Sequence, residues 1–379
     1  MPGRRRCSKA ATRCRRSRTV SLLRVAIPTE PIGSIPRSAE LLAGMQKADA
    51  GGISEAELDA LFDQAVRSTI TEFEATGSPV ITDGEQRKPS FATYPIAGLE
   101  TLAADGVVIP FADGHTRQLP VLTAGPFRYR THADSYLVAA QRVAMRPVKQ
   151  AVISASALSL LYPADGIDGY TREAFLDDLV DEAEADIRGC LDAGAYNVQI
   201  DFTEARLSLK LDPSGGLLRS FIDLNNRVFD RFSADERDRR IGVHTCPGGD
   251  HDSTHSADVD YGQLLPLLFE LHAGAFYLEL AGEADPEAAL EVMAANLRSG
   301  QRAFVGVTDP IDPEVETAEQ VRDRILLAAN HIPISQLGTT DDCGFSPFAD
   351  DGSTARETAF AKIRARIKGT ELASERLGV

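Results

Sequence analysis

Three short segments of this sequence end in residues able to hold a soft divalent metal. They are Ile241-Gly-Val-His244-Thr-Cys246, Phe276-Tyr-Leu-Glu279 and Thr339-Thr-Asp-Asp-Cys343-Gly. Together they offer one imidazole, two thiols and one carboxylate, a tetrahedral set that suits Zn²⁺ better than Mg²⁺ or Ca²⁺. A metal in such a set has little Lewis acidity to spare, yet it deprotonates a thiol that joins it and leaves the sulfur electron-rich. The chemistry to expect is alkylation of a small thiol substrate by an electrophilic carbon. Each piece alone is weak, because a lone strand-end Cys is usually structural and a His-x-Cys pair arises by chance. Their shared position, each just past an apolar run, is what gives them weight.

Those apolar runs must be strands if they are to aim the ligands at one place. Strand candidates fall at residues 23–27, 79–82, 121–124, 152–155, 196–200, 241–244, 275–278, 303–307 and 335–338. Helical stretches lie near 171–193, 217–233, 261–272, 286–298, 318–330 and 354–368, and Ser54-Glu-Ala-Glu57 reads as a capping box opening a helix to about residue 76. Alternation of short strands with amphipathic helices predicts an α/β fold, specifically a (β/α)8 TIM barrel, whose chemistry sits at the C-terminal ends of the strands. The Gly- and Asp-rich region 98–119 reads as an inserted hairpin rather than a barrel unit.

The composition, 43% hydrophobic and 25% charged over 379 residues, is that of a globular chain. Residues 1–24 hold nine of the 40 basic residues and no acid, so the remainder sets 31 bases against 56 acids, a formal charge of −25. Residues 1–21 are therefore expected to be a basic, disordered tail, and residues 22–379 one domain. So acidic a domain offers no general surface for nucleic acid or anionic membrane, and no 18-residue apolar run suggests a membrane span. Five scattered cysteines (Cys7, Cys14, Cys190, Cys246, Cys343) are not a disulfide framework, which points to a reducing cytoplasm. The partners expected are a small thiol and a methyl or alkyl donor. Oligomeric state stays open, a homo-oligomer being one option.

The His-x-Cys, Glu and distant Cys-Gly pattern resembles the catalytic domain of cobalamin-independent methionine synthase, over nearly the whole chain after the basic tail. The resemblance implies that His244, Cys246, Glu279 and Cys343 hold zinc. It also implies that Ile32, Gly33 and Ser34 of Ile32-Gly-Ser34-Ile-Pro-Arg37, Glu85 of Asp83-Gly-Glu85 and Asp201 of Val198-Gln-Ile-Asp201 bind homocysteine. Asp309 of Gly306-Val-Thr-Asp309 falls in a further active-site loop. Two positions depart from the pattern: Ile311 replaces a His that helps the folate nitrogen leave, and Phe202 replaces an acid, with Glu204 two residues on. In an epoxide-opening relative of the same chemistry, His251 or His255, in the loop directly after the zinc ligands, is the candidate acid that would protonate the emerging alkoxide, with solvated loop histidines as the plain alternative. The expected reaction is methyl transfer from a reduced folate or related donor to homocysteine. The alternative is thiol alkylation of the epoxyalkane:coenzyme M transferase type; a purely structural zinc ranks last, since a barrel of this size needs no staple.

Overall fold

The computed structural model describes residues 26–379; the expected tail, and most of the strand expected at 23–27, lie outside that range. Its centre is a six-stranded, all-parallel sheet of β1 (Gln150–Ile153), β2 (Val198–Asp201), β3 (Ile241–Thr245), β4 (Ala275–Leu278), β5 (Arg302–Gly306) and β6 (Leu337–Thr340), paired in sequential order. Strand β1 is buried at every position, as are β2, β3 and β6, which is why these runs read as apolar rather than alternating.

Two further positions close the ring without forming strands. Thr29 makes a parallel bridge to Thr339 of β6, Ile81 makes one to Val148 beside β1, and the Ile35 amide donates to the Gly84 carbonyl at 3.0 Å. Pro28 and Pro31 flank Thr29, so the chain lacks the amides that a longer ladder would need. The strand expected at 79–82 is thus present as a single bridge at Ile81, while the bridge at Thr29 lies just beyond the run expected at 23–27. Their loops, 31–37 and 83–88, meet above them.

Charge is buried within the ring. Lys149 donates to the Pro31 carbonyl at 2.9 Å, lies 3.4 Å from Glu30 and sits 3.4 Å above the centre of the Tyr277 ring. Burial draws its pKa down to about 8. Arg366, fully buried on the last helix (Arg356–Leu377), pairs with Asp341 at 3.0 Å and donates to Thr29 at 2.9 Å.

Several helices begin where side chains cap them. Ser54 and Glu57 form the expected box before Glu55–Ala75, and Thr171 caps Arg172–Asp192. One strand expectation is corrected. Residues 121–124 do not join the barrel: Val121–Leu122 pairs antiparallel with Leu102–Ala103, because Pro120 and Pro126 bracket it within the insertion. The insertion itself contains the expected hairpin, Val108–Pro110 against Thr116–Gln118. From it Arg117 reaches Asp250 at 2.5 and 3.0 Å and Asp350 at 2.9 Å, while the Ala112 amide donates to the Thr254 carbonyl. The hairpin is strapped across the loop that follows β3.

Candidate metal centre and its cavity

His244 and Cys246 leave the end of β3 two residues apart, and Cys343 follows β6 across the same rim. Their ligand atoms lie within 4.8 Å of one another, and the two sulfurs are 3.1 Å apart. His244 Nδ1 faces the Tyr277 carbonyl at 3.1 Å, which fixes the ring; Nε2 is buried with no hydrogen-bond partner. A buried nitrogen lone pair beside two thiols is costly unless something joins them. The thiols show the same demand. The hydrogen bond from Cys246, and the His244 imidazole, hold Cys343 well below the usual thiol range, whereas that bond and burial push Cys246 well above it. A soft cation would fit among these atoms as a two-thiolate, one-imidazole site.

Glu279, directly after β4, lies outside this cluster. Its Oε2 accepts from Arg206 at 2.8 Å, and burial, then Asp342, raises its pKa well above the carboxylate range. Asp342 takes the Leu280, Ala281 and Gly282 amides and so fixes the turn that carries Glu279. That carboxylate fits only because residue 306 is glycine: a Cβ there would stand 1.7 Å from Asp342 Oδ1.

A cavity opens above the cluster. Ile32, Ser34, Glu85, Asp201, His244 and Cys343 form part of its lining. The Ser34 hydroxyl accepts from the Ser346 amide at 3.1 Å, Ser34 O from the Phe345 amide, and Gly33 O from Thr82 Oγ1. These bonds lock the 31–37 loop against the Cys343 turn. Glu85 accepts from the buried Lys88 at 2.8 Å. Asp201, at the end of β2, accepts from Gln199 at 2.7 Å, and burial lifts its pKa to about 6. Phe91, Ile109, Phe111 and Phe348 supply apolar walls, two of them from the inserted hairpin.

The other residues singled out from sequence are more dispersed. His255 lines the cavity, and burial lowers its pKa to about 4, which keeps it neutral. Gly248, at φ +72°, makes room for it: a Cβ there would meet the imidazole at 1.8 Å. His251 is outward, 42% exposed, between Asp351 and Arg117. Asp309 is outside the lining, its Oδ1 taken by the Ile311 amide. Ile311 itself reaches within 4.0 Å of a Cβ position at the cavity residue Gly249, so an apolar side chain occupies that rim.

Glu204 does not turn toward the cavity. It is buried against Ser154, at 2.5 Å, and Ser156, and burial raises its pKa to about 7 from an ordinary 4.5. The unfolded chain therefore releases this proton first, so stability should fall between about pH 4.5 and 7 and be level above that. The effect is on the order of 3 kcal/mol. In Glu204→Gln that part of the slope should vanish, and urea unfolding at pH 5 and pH 8 measures it.

Residues 27–359 match the profile of the cobalamin-independent synthase catalytic domain. The chain belongs to that family. Among this family's members, a methionine synthase from Sulfurisphaera tokodaii is 22% identical over 351 residues, covering 93% of this chain and 94% of the relative. A 5-methyltetrahydropteroyltriglutamate–homocysteine methyltransferase from Synechococcus is 24% identical, over 84% of this chain but only 40% of its own length. The solved structure of a B12-independent methionine synthase from Shewanella, in complex with selenomethionine, superposes with a TM-score of 0.73 at 19% identity, covering 93% of this chain and 99% of that one. The likeness in fold, together with the six-stranded parallel sheet and its two bridges in this chain, bears out the barrel expectation. No helix among the described residues is long and apolar enough to cross a membrane.

Proposed function

We propose that this protein transfers a methyl group from a reduced folate or related donor to the thiol of homocysteine, giving methionine. The observation that carries the reading is the partnerless His244 Nε2 facing the Cys246–Cys343 sulfur pair in a cavity that also holds Ser34, Glu85 and Asp201. His244, Cys246 and Cys343 would hold zinc, with Glu279 as fourth ligand. When bound, that ion supplies the positive charge that makes an incoming thiol ionise at neutral pH.

The rest follows from the chain. Glu85 and Asp201 put two carboxylates in the cavity wall, complementary to the ammonium of an amino acid. The 32–34 segment, held rigid by the bonds from Thr82, Phe345 and Ser346, presents backbone and hydroxyl groups to the other end. Orientation of this kind places the sulfur at the apolar walls, where water is scarce and a nucleophile is strong. Asp309, His251 and His255 remain candidates for proton transfer, with His255 the one that lines the cavity.

The test is direct. Purified protein loaded with zinc and given homocysteine should form methionine from a methylated reduced folate, and apoprotein should not. Methionine from neither a folate nor another methyl donor would overturn the reading. A second reading, opening of an epoxide by a thiol such as coenzyme M, draws on Ile311 at the rim and the apolar walls, and predicts a hydroxyalkyl thioether instead.

A further inference from the structure

Arg206 is the most completely engaged cation near the centre. It sits on the helix Glu204–Leu211, directly after β2, with its side chain 3% exposed. Its Nε donates to the Val259 carbonyl at 3.0 Å, and Nη2 donates to Val259 and Ala257 at 2.7 and 3.0 Å. Its Nη1 spans two carboxylates, Glu279 at 2.8 Å and Glu283 at 2.7 Å, and the guanidinium lies 4.7 Å from the Tyr261 ring centre. All five N–H groups of the fork are used, an arrangement that three lysine donors on a single point cannot reproduce.

We propose that Arg206 is a positioning residue that governs how firmly Glu279 can hold a metal at the His244–Cys246–Cys343 centre, and so how readily a substrate thiol takes that place. The proposal rests on the reading of Glu279 as fourth ligand. A carboxylate whose Oε2 is neutralised by a buried guanidinium is a poorer donor to a cation than a free one, since both compete for the same negative charge. The three tightly clustered ligands would then keep the metal, while Glu279, outside the 4.8 Å cluster, stays exchangeable. Glu283 tunes the competition by taking a share of Nη1. The fork is also bonded to the loop after β3, so the grip on Glu279 is fixed by the barrel rather than by a mobile surface side chain.

The experiment uses the full chain loaded with Co²⁺, whose absorption reports thiolate ligation. It follows metal release to excess EDTA and the spectral change on titration with homocysteine. R206Q should release cobalt at least tenfold more slowly and need at least tenfold more homocysteine. E283Q, which leaves Arg206 wholly on Glu279, should move both quantities the other way. If R206Q fails to fold, R206K is expected to shift as R206Q does, by less. Unchanged release in a folded R206 variant, faster release, or the same direction of change in R206Q and E283Q overturns the proposal. A wild-type protein that takes up no cobalt overturns the metal-centre reading itself, and this proposal with it.

Discussion

With zinc held at this centre as proposed, Cys343→Ser should abolish zinc retention and methyl transfer together, with turnover lower by about a thousandfold or more, the several kcal/mol that a thiol-activating metal contributes. A hydroxyl is a poor soft-metal ligand, and Cys343 is the thiol whose pKa its neighbours Cys246 and His244 pull down. Metal content by atomic emission and methionine formation should fall in parallel. A second readout separates this from simple damage. In metal-stripped wild type, the lowered Cys343 thiol should react with a thiol reagent at lower pH than an ordinary free cysteine does, and in Cys343→Ser that low-pH reactivity should be gone while the fold, by circular dichroism, persists. Zinc retained at full occupancy in Cys343→Ser would refute the ligand assignment.

The largest effect on stability is expected at Asp341→Ala. Arg366 is fully buried and its nearest counter-charge is Asp341 at 3.0 Å. Burial already lowers the Arg366 pKa, but a guanidinium cannot shed its proton within the range where proteins fold, so removing Asp341 strands a cation inside the barrel. Breaking a buried pair in this way costs about 3–5 kcal/mol. Urea unfolding monitored by circular dichroism would measure it. The Lys149–Glu30 pair provides the contrast: with its pKa already near 8, Lys149 can become neutral, so Glu30→Gln should cost less.

The barrel was readable because its strands are buried on both faces and their apolar runs stand out between capped helices. The boundaries drifted by a residue or two where polar residues extend a strand, Gln150 at the start of β1 and Asp201 at the site end of β2. The bridge at Ile81 was legible as an apolar run but not as a single bridge, and the one at Thr29 fell outside the expected run, since proline placement limits pairing in a way that hydrophobic pattern does not express. The meeting of His244, Cys246 and Cys343 was legible because these residue types stand at the ends of strand runs. Arg206 was not, because an Arg on a short helix reads as a solvated face; its Glu partners lie more than 70 positions away in sequence. The strap from Arg117 to Asp250 was missed for the same reason, and it places the loop histidines differently, with His255 inward and His251 outward.

The sulfur pair also bears on how the protein lives in a cell. Cys246 and Cys343 are 97 positions apart and come together only when the ring has closed from β3 round to β6. An unfolded chain holds no such site, so zinc would bind the native form almost exclusively, and each tenfold rise in free zinc above the dissociation constant would add about 1.4 kcal/mol to the free energy of unfolding. Resistance to heat and proteolysis would then follow zinc supply, and a zinc-starved cell would lose the protein as well as its activity.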